Sequence, residues 1–419
     1  MILRPFASGS LAATVLATRP TPSGLVEERG RKGPEKGDFA GSGSFSIGSA
    51  DDASLYFHIP FCTKKCPYCH FYVIPNQGRY HPLLSEGLAL EWERSLPLLA
   101  GKRIVSIYFG GGTPTLFAPD GIGAVLARVR DTALLSPDCE ITVEANPEEA
   151  GKGLFEKLAR LGVNRLSIGV QSLDDRSLAV LERSHGAKLA KAAIQEAYGA
   201  GLANISIDLM YDLPDQTESS WQYTLNEATA LPISHLSLYN LTIEPHTSFY
   251  KRRGELCLPK PEASLRMLDA AIQAIEKMGL KRYEISAFVK KGMESRHNLG
   301  YWTGRPFLGF GPSAFSDWEG ERFRNAANLQ RYVRSLRKGE SPVDFSEKLP
   351  YPANLKERLT VRLRLFEGVD LGLFAPLPSE TRAVLERWAG EGHLIEQGAR
   401  IRLSERGALF YDTLAAELI

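Results

Sequence analysis

Residues 56–76 read YFHIPFCTKKCPYCHFYVIPN, and three of the chain's five cysteines, Cys62, Cys66 and Cys69, fall within it at the spacing C-x3-C-x2-C. The stretch opens as a strand, SLYFHIPF, and runs directly into the cysteine loop. Whatever the thiols hold therefore sits at the carboxyl end of a strand. Downstream, the apolar runs RIVSIYFG, EITVEANP, RLSIGVQS, NISIDLMYDLP and HLSLYNLTI alternate with amphipathic stretches at Leu83–Leu99, Gly121–Leu134, Leu154–Leu161, Leu189–Tyr198 and Ser219–Ala230. Strands alternating with helices of this length predict an α/β fold with a parallel sheet and right-handed crossovers, either doubly wound or curled into a full or partial barrel. Polar and glycine residues gather where successive strands end, at Gly110–Thr113, Glu144–Asn146, Gln171 and Asp208. In parallel α/β proteins that edge is where ligands bind.

After KRYEISAF the alternation stops, and HNLGYWTGRPFLGFGPSAFSDW follows, dense in aromatics and glycine. Near the end, Leu355–Phe366 and Thr381–Ala389 read as helices, HLIEQGARIRLS as strand, turn and strand, and ERGALFYDTLAAEL as a closing helix. Helices with a short hairpin predict a winged-helix-like α+β domain. The expected organisation is an N-terminal extension at 1–50, a barrel domain at 51–290, a connecting region at 291–345 and a C-terminal domain at 346–419. The extension is rich in Gly, Pro, Ser and charge without apolar periodicity, which predicts disorder. Its first twenty residues carry two arginines and no acid, a faint likeness to an organelle transit peptide. The cytoplasm is the expected compartment, with the mitochondrial matrix as the alternative if that extension directs import.

Composition narrows the function classes. Lys plus Arg (50) balances Asp plus Glu (49), so no basic excess drives binding to nucleic acid or anionic lipid. No apolar run approaches the roughly 18–20 residues of a membrane span. An odd, low cysteine count suits a reducing compartment better than a disulfide framework. Three thiolates can hold three irons of a 4Fe-4S cluster, where electron-transfer cubes use four cysteines. The open iron can chelate S-adenosylmethionine (SAM), whose sulfonium the reduced cluster cleaves to a radical. The competing reading is a Cys3His zinc set with His70, although adjacent Cys69 and His70 are poorly placed to meet one metal.

The spacing C-x3-C-x2-C is the signature of the radical SAM superfamily. YFHIPFCTKKCPYCHF, YFGGGTPT, VEANPEE, RLSIGVQS, LERSH, SIDLMYDLP and HNLGYW together resemble the oxygen-independent coproporphyrinogen III oxidase-like radical SAM proteins, from about Leu55 to the C-terminus. The resemblance implies an incomplete (β/α)6 barrel followed by a winged-helix-like domain. It makes Cys62, Cys66 and Cys69 the cluster ligands and assigns Tyr56, Gly112, Thr113, Glu144, Gln171, Arg183 and Asp208 to SAM.

Two branches of that family differ. The oxidases, which decarboxylate coproporphyrinogen III to protoporphyrinogen IX, resemble C-x3-C-x2-C-x-C, and here the last position is Phe71. The heme chaperone (HemW-type) branch lacks that cysteine and carries H-N-x-x-Y-W, present here as His297, Asn298, Tyr301 and Trp302. Imidazole is a common heme ligand and aromatic faces pack on a flat macrocycle. The same four residues also suit a loop cap and interdomain core. The resemblance to this branch implies that the protein binds heme and passes it to apo-hemoproteins of the respiratory chain, with little or no oxidase activity. Oxidase activity is the alternative. DNA binding by the winged-helix-like tail is disfavoured by the neutral charge. His58, beside the cysteine loop, reads either as structural or as support for that loop.

Overall fold

The computed structural model describes residues 49–149, 151 and 153–419. The predicted disorder and the transit-peptide likeness fall on residues outside these, apart from the last two of the extension.

Six strands follow one another as predicted: β1 (Asp52–Ile59), β2 (Arg103–Gly111), β3 (Leu134–Ala145), β4 (Arg165–Gln171), β5 (Asn204–Tyr211) and β6 (His235–Asn240). All are parallel, and their order in space is their order in sequence. A doubly wound sheet reverses its strand order at a switch point, whereas this one never does, as in an α/β barrel. The crossovers carry helices α1 (Tyr80–Leu99), α2 (Asp120–Thr132), α3 (Leu154–Arg160), α4 (Asp175–Val180), α5 (Ala187–Gly199) and α6 (Glu218–Ala228).

Beyond β6 lie α7 (Pro261–Lys277) and the hairpin β7 (Lys281–Glu284) and β8 (Ala287–Val289), with β8 antiparallel to β6. The 291–345 region, read as a connection, adds α8 (Arg296–Thr303), four strands and α9 (Leu329–Arg337). Strand β9 (Phe307–Phe310) runs parallel to β1 on its outer side, and β10 (Phe315–Trp318), β11 (Glu321–Asn325) and β12 (Val343–Glu347) continue antiparallel. The twelve-stranded sheet runs β12-β11-β10-β9-β1-β2-β3-β4-β5-β6-β8-β7, with its two ends unpaired to each other. This open arc carries the six sequential strands of the expected incomplete barrel.

Alternation along the strands decides what the arc encloses. Leu55, Phe57, Ile107, Phe109, Ile141, Val143, Leu166, Ile168, Ile205, Ile207 and Leu236 belong to the main apolar core. Their neighbours are polar and equally buried: Ser54, Ser106, Thr142, Arg165, Ser206 and His235. Cross-strand register keeps the polar set together, pairing Tyr56 with Tyr108, Glu144 with Ser167, Ser167 with Ser206 and Asp208 with Ser237. Parallel strands covered on both faces usually read as continuous apolar runs. Here one face takes the apolar core and the other lines a polar interior.

The chain ends in α10 (Ala353–Arg362), β13 (Val369–Asp370), α11 (Ser379–Gly390), β14 (Leu394–Gln397), β15 (Arg400–Leu403), α12 (Glu405–Leu409) and α13 (Tyr411–Leu418). This winged-helix-like order encloses its own core around Leu359, Leu385, Trp388, Ile401 and Leu414. The seam to the barrel is specific. Phe366 N donates to Tyr283 O at 3.0 Å, and Arg364 meets Glu284 at 3.3 Å while lying 4.4 Å over the Trp302 ring.

Glu91 of α1 fastens the added strands. Its buried carboxylate accepts from Gly311 N (2.8 Å), Asn325 Nδ2 (2.6 Å) and Tyr332 Oη (2.6 Å). Burial pushes that carboxyl up to about 7. A folded pKa above the unfolded one means the folded state binds the proton more tightly. The associated stability is complete below the ordinary value of 4.5 and is lost as pH rises through about 7. We expect urea unfolding to show a loss of roughly 3 kcal/mol across that window and Glu91→Gln to flatten it.

Candidate functional site

The cysteine loop leaves β1 and closes on itself. Ile74 N bonds to Pro60 O at 2.8 Å, Asn76 N to Cys62 O at 3.0 Å, and Cys69 N to Cys66 O at 3.1 Å. The end of β2 is laid against it, with Gly112 N on Ile59 O at 2.9 Å and Thr113 N on Phe61 O at 2.7 Å. The glycine triplet admits this approach. A Cβ on Gly112 would stand 2.5 Å from Phe61 O, and Gly111, at φ +113°, leaves room for the His58 ring. What the triplet admits is the loop itself. Gly112→Ala is therefore expected to cost about 1–3 kcal/mol and to lower cluster retention, read by thermal unfolding and iron content.

Side chains complete a ring around two of the thiols. Cys62 Sγ lies 3.7 Å from Thr113 Oγ1, which accepts from Asn146 Nδ2 at 2.9 Å. Arg183 Nη2 donates to Asn146 Oδ1 (2.7 Å) and Gly169 O (2.9 Å), and its Nη1 reaches Cys66 Sγ at 3.4 Å. One guanidinium thus ties the ends of β3 and β4 to the loop, and Asn146 passes the tie on to Thr113 at the end of β2. Burial pushes the Cys62 thiol up to about 11 and raises Cys69 as well. These thiols ionise only against strong positive charge, such as bound iron supplies. Among the described residues no three His, Cys, Asp or Glu side chains converge on a single metal ion. His70 is exposed and stacks on Phe71, with ring centroids 4.7 Å apart. The donor set of three spaced thiols fits a cluster better than the zinc alternative.

Below the loop stand the other predicted residues. Glu144 accepts from Tyr108 Oη at 2.8 Å and Gly111 N at 3.0 Å, and burial raises its carboxyl. Burial first, then the charge of Glu144, pushes Asp208 up to about 6. Tyr56 Oη lies 3.1 Å from His58 Nδ1, while His58 Nε2 lies 3.0 Å from Tyr72 O. A carbonyl can only accept, so the proton sits on Nε2 and Tyr56 donates to Nδ1. His58 therefore supports the cysteine loop. Gln171 ends β4 at φ +65°, a left-handed conformation rare outside glycine. Its amide lies beside Gly169 together with Asn146 and Arg183. All seven residues read from the sequence as SAM contacts stand at or just below this edge.

Sequence reasoning missed Tyr108, Tyr72 and Arg165. Arg165 lies on the polar face with 2% exposure and faces Glu144 and Asp208 electrostatically. The signal that could have found it was the period-two polarity of β4.

The H-N-x-x-Y-W residues divide between two settings. His297 is 1% exposed, with Nδ1 3.0 Å from Ser106 Oγ, Nε2 2.8 Å from Tyr301 Oη, and its ring stacked on Tyr108. Burial, reinforced by Arg305 and Arg165, holds it well below the usual imidazole range and so neutral. Trp302 turns the other way, under Arg364 at the interdomain seam, and Asn298 N is capped by Ser295 Oγ at 3.3 Å. Helix α8 divides the motif between the polar interior and the seam. The four residues therefore present no open face to a macrocycle, and as they stand they do not fit heme.

The Radical SAM superfamily profile matches residues 56–228. The chain is 40% identical to "Radical S-adenosyl methionine domain-containing protein 1, mitochondrial" of Danio rerio, over 88% of this chain and 87% of that protein. It is 32% identical to the heme chaperone HemW of Mycobacterium tuberculosis, over 87% and 94% of the two chains. With HemW of Escherichia coli the identity is 34%, over 86% and 96%. Among solved structures, coproporphyrinogen III oxidase (HemN) from Escherichia coli is similar, with a TM-score of 0.78 and 23% identity, covering 88% of this chain and 90% of that one. At that identity the likeness speaks for the fold alone.

Proposed function

This chain belongs to the radical SAM superfamily, in the HemW heme chaperone branch of its coproporphyrinogen oxidase-like family, and from that premise we propose that it binds heme and passes it to respiratory apo-hemoproteins. The observation that carries the reading is likeness to HemW proteins over nearly their whole length. Oxidase activity remains the alternative. Its support is a fold-level likeness, and Phe71 stands where the oxidases resemble one another in a further cysteine.

Membership implies a 4Fe-4S cluster and SAM. Cys62, Cys66 and Cys69 would hold three irons, and the group, once bound with SAM, supplies one-electron chemistry at the strand ends. The protein's own part is positioning. Arg183 fixes the loop against β3 and β4, Thr113 and Gly112 hold it against β2, and Glu144, Gln171 and Asp208 offer acceptors to ribose hydroxyls and the amino group of SAM. No helix among the described residues is long and apolar enough to cross a membrane. The cytoplasm is the proposed compartment, and the name of the Danio rerio relative supports the mitochondrial matrix as the alternative.

The test is anaerobic: cluster-reconstituted protein with SAM, reductant and coproporphyrinogen III, followed by hemin titration of the same preparation. We expect no decarboxylated porphyrinogen and a saturable hemin spectrum near one per chain. Decarboxylation coupled to deoxyadenosine release would establish the oxidase instead.

A further inference from the structure

Two of the motif stretches carry a residue that the site leaves unassigned: Glu148 in VEANPEE and His185 in LERSH. They meet beside Arg183, at an irregularity in the sheet. Strands β4 and β5 pair Ile168 with Ile207 and then Gln171 with Leu209, so β4 carries one extra residue there. Such a bulge takes backbone groups out of the ladder, and they must find partners elsewhere. The carbonyls of Gly169 and Val170 find them on one short segment. Arg183 Nη2 donates to Gly169 O at 2.9 Å, and His185 Nε2 lies 3.1 Å from Val170 O. A carbonyl can only accept, so Nε2 carries a proton.

The other ring nitrogen faces the chain just past β3. His185 Nδ1 lies 3.4 Å from Glu148 Oε2, and neither atom has a hydrogen-bond partner elsewhere among the described residues. Burial raises the Glu148 carboxyl, but the His185 ring, the residue's own backbone N–H and the Arg183 charge together bring it down to about 2. The acid is therefore ionised, and a ring proton makes the contact attractive. Beyond His185 the chain is pinned as well. Ala187 N donates to Asp175 Oδ1 at 2.7 Å, and a Cβ on Gly186 would stand 2.9 Å from the same oxygen.

We propose that His185 and Glu148 form a positioning clamp, which locks the β4 bulge to the end of β3 and so sets where Arg183 and Gln171 reach into the site. The pair acts through these two neighbours. The inference rests on the SAM reading of Arg183 and Gln171 and is independent of heme.

The test has two arms, both on the full chain. The first follows amide hydrogen exchange without cluster or SAM. Ser172 N donates to Val170 O at 2.8 Å, so its amide reports on the bulge. His185→Ala and Glu148→Ala should each speed its exchange about tenfold, as loss of one hydrogen bond would. The double variant should add little to either, because the two side chains act as one unit. The second arm measures SAM binding to reconstituted protein by equilibrium dialysis. Both single variants should keep the parent's far-ultraviolet circular dichroism and bind SAM about tenfold more weakly. Glu148→Gln, whose amide can still bond to Nδ1, should keep most of the affinity. Parent-like exchange and SAM affinity in folded Glu148→Ala would overturn the clamp, and so would fully additive losses in the double variant. Faster exchange with unchanged SAM affinity would overturn it too, leaving the pair a structural role only. If His185→Ala does not fold, the two Glu148 variants decide, since that side chain is partly exposed. A parent chain that binds no SAM would remove the site reading, and the clamp with it.

Discussion

An Arg183→Met chain is expected to fold and to lose its cluster. The guanidinium donates to Asn146 Oδ1, Gly169 O and Cys66 Sγ, so it touches both the cysteine loop and the ends of β3 and β4. Methionine matches its length and apolar stem but supplies no donor. Asn146 would then be free to turn from Thr113, and Thr113 in turn neighbours Cys62 Sγ. Two of the three thiols lose their fixed positions in one step. Anaerobic reconstitution should fall from about four irons per chain to fewer than one. Far-ultraviolet circular dichroism should stay unchanged, because Arg183 sits at the sheet edge and outside the apolar core. Arg183→Lys should retain an intermediate amount, since one ammonium cannot span a planar fork of acceptors. Full iron loading of Arg183→Met would mean that the loop's own backbone bonds suffice to set the thiols.

The sequence was informative wherever one local pattern had one structural meaning. Strand, cysteine loop and glycine triplet could be placed on one edge because six βα units in a row leave few topologies, and the family match then named the contacts. It was less informative across 291–345. There FLGF, FSDW and ERFRN are strands of four or five residues set among glycines and turns, too short for a period to emerge. FLGF pairs with β1, and Asn325 of ERFRN is held by Glu91 of α1, both more than two hundred residues away, while FSDW pairs with its neighbours on either side. The polar interior was missed for another reason. In YFHI, RIVSIYF and NISIDL the Tyr, Ser and Asp that break the apolar runs are a second face, and a run that is mostly apolar does not show which of its breaks share an interior. The motif at 297–302 shows the limit of a string. Its letters match a heme-associated pattern, yet which side of α8 each residue faces follows from the helix's place between the barrel and the C-terminal domain.

Arg165→Met is expected to be the most destabilising single change in the barrel, and its cost should grow with pH. Arg165 is among the largest fully buried side chains and is the cation whose charge favours ionisation of both Glu144 and Asp208. Removing one partner from a buried charged set leaves the others uncompensated, at about 3–5 kcal/mol. The sign with pH follows from the carboxyls. Asp208 already titrates near 6 in the folded protein against an ordinary 3.8, so the stability linked to its protonation is complete below about 3.8 and is lost as pH rises through about 6. Without Arg165 that folded value moves higher still. Near pH 5 Asp208 is largely protonated and needs little countercharge, and burial raises the Glu144 carboxyl in the same direction, so the variant should lose least at low pH and most above about pH 7. Urea unfolding of parent and variant at a series of pH values reads this directly. Asp208→Asn in the Arg165→Met background should restore part of the loss at high pH and little of it at low pH. A loss that is the same at every pH would mean that Arg165 serves the interior by filling space, and that Glu144 and Asp208 are neutralised by other groups.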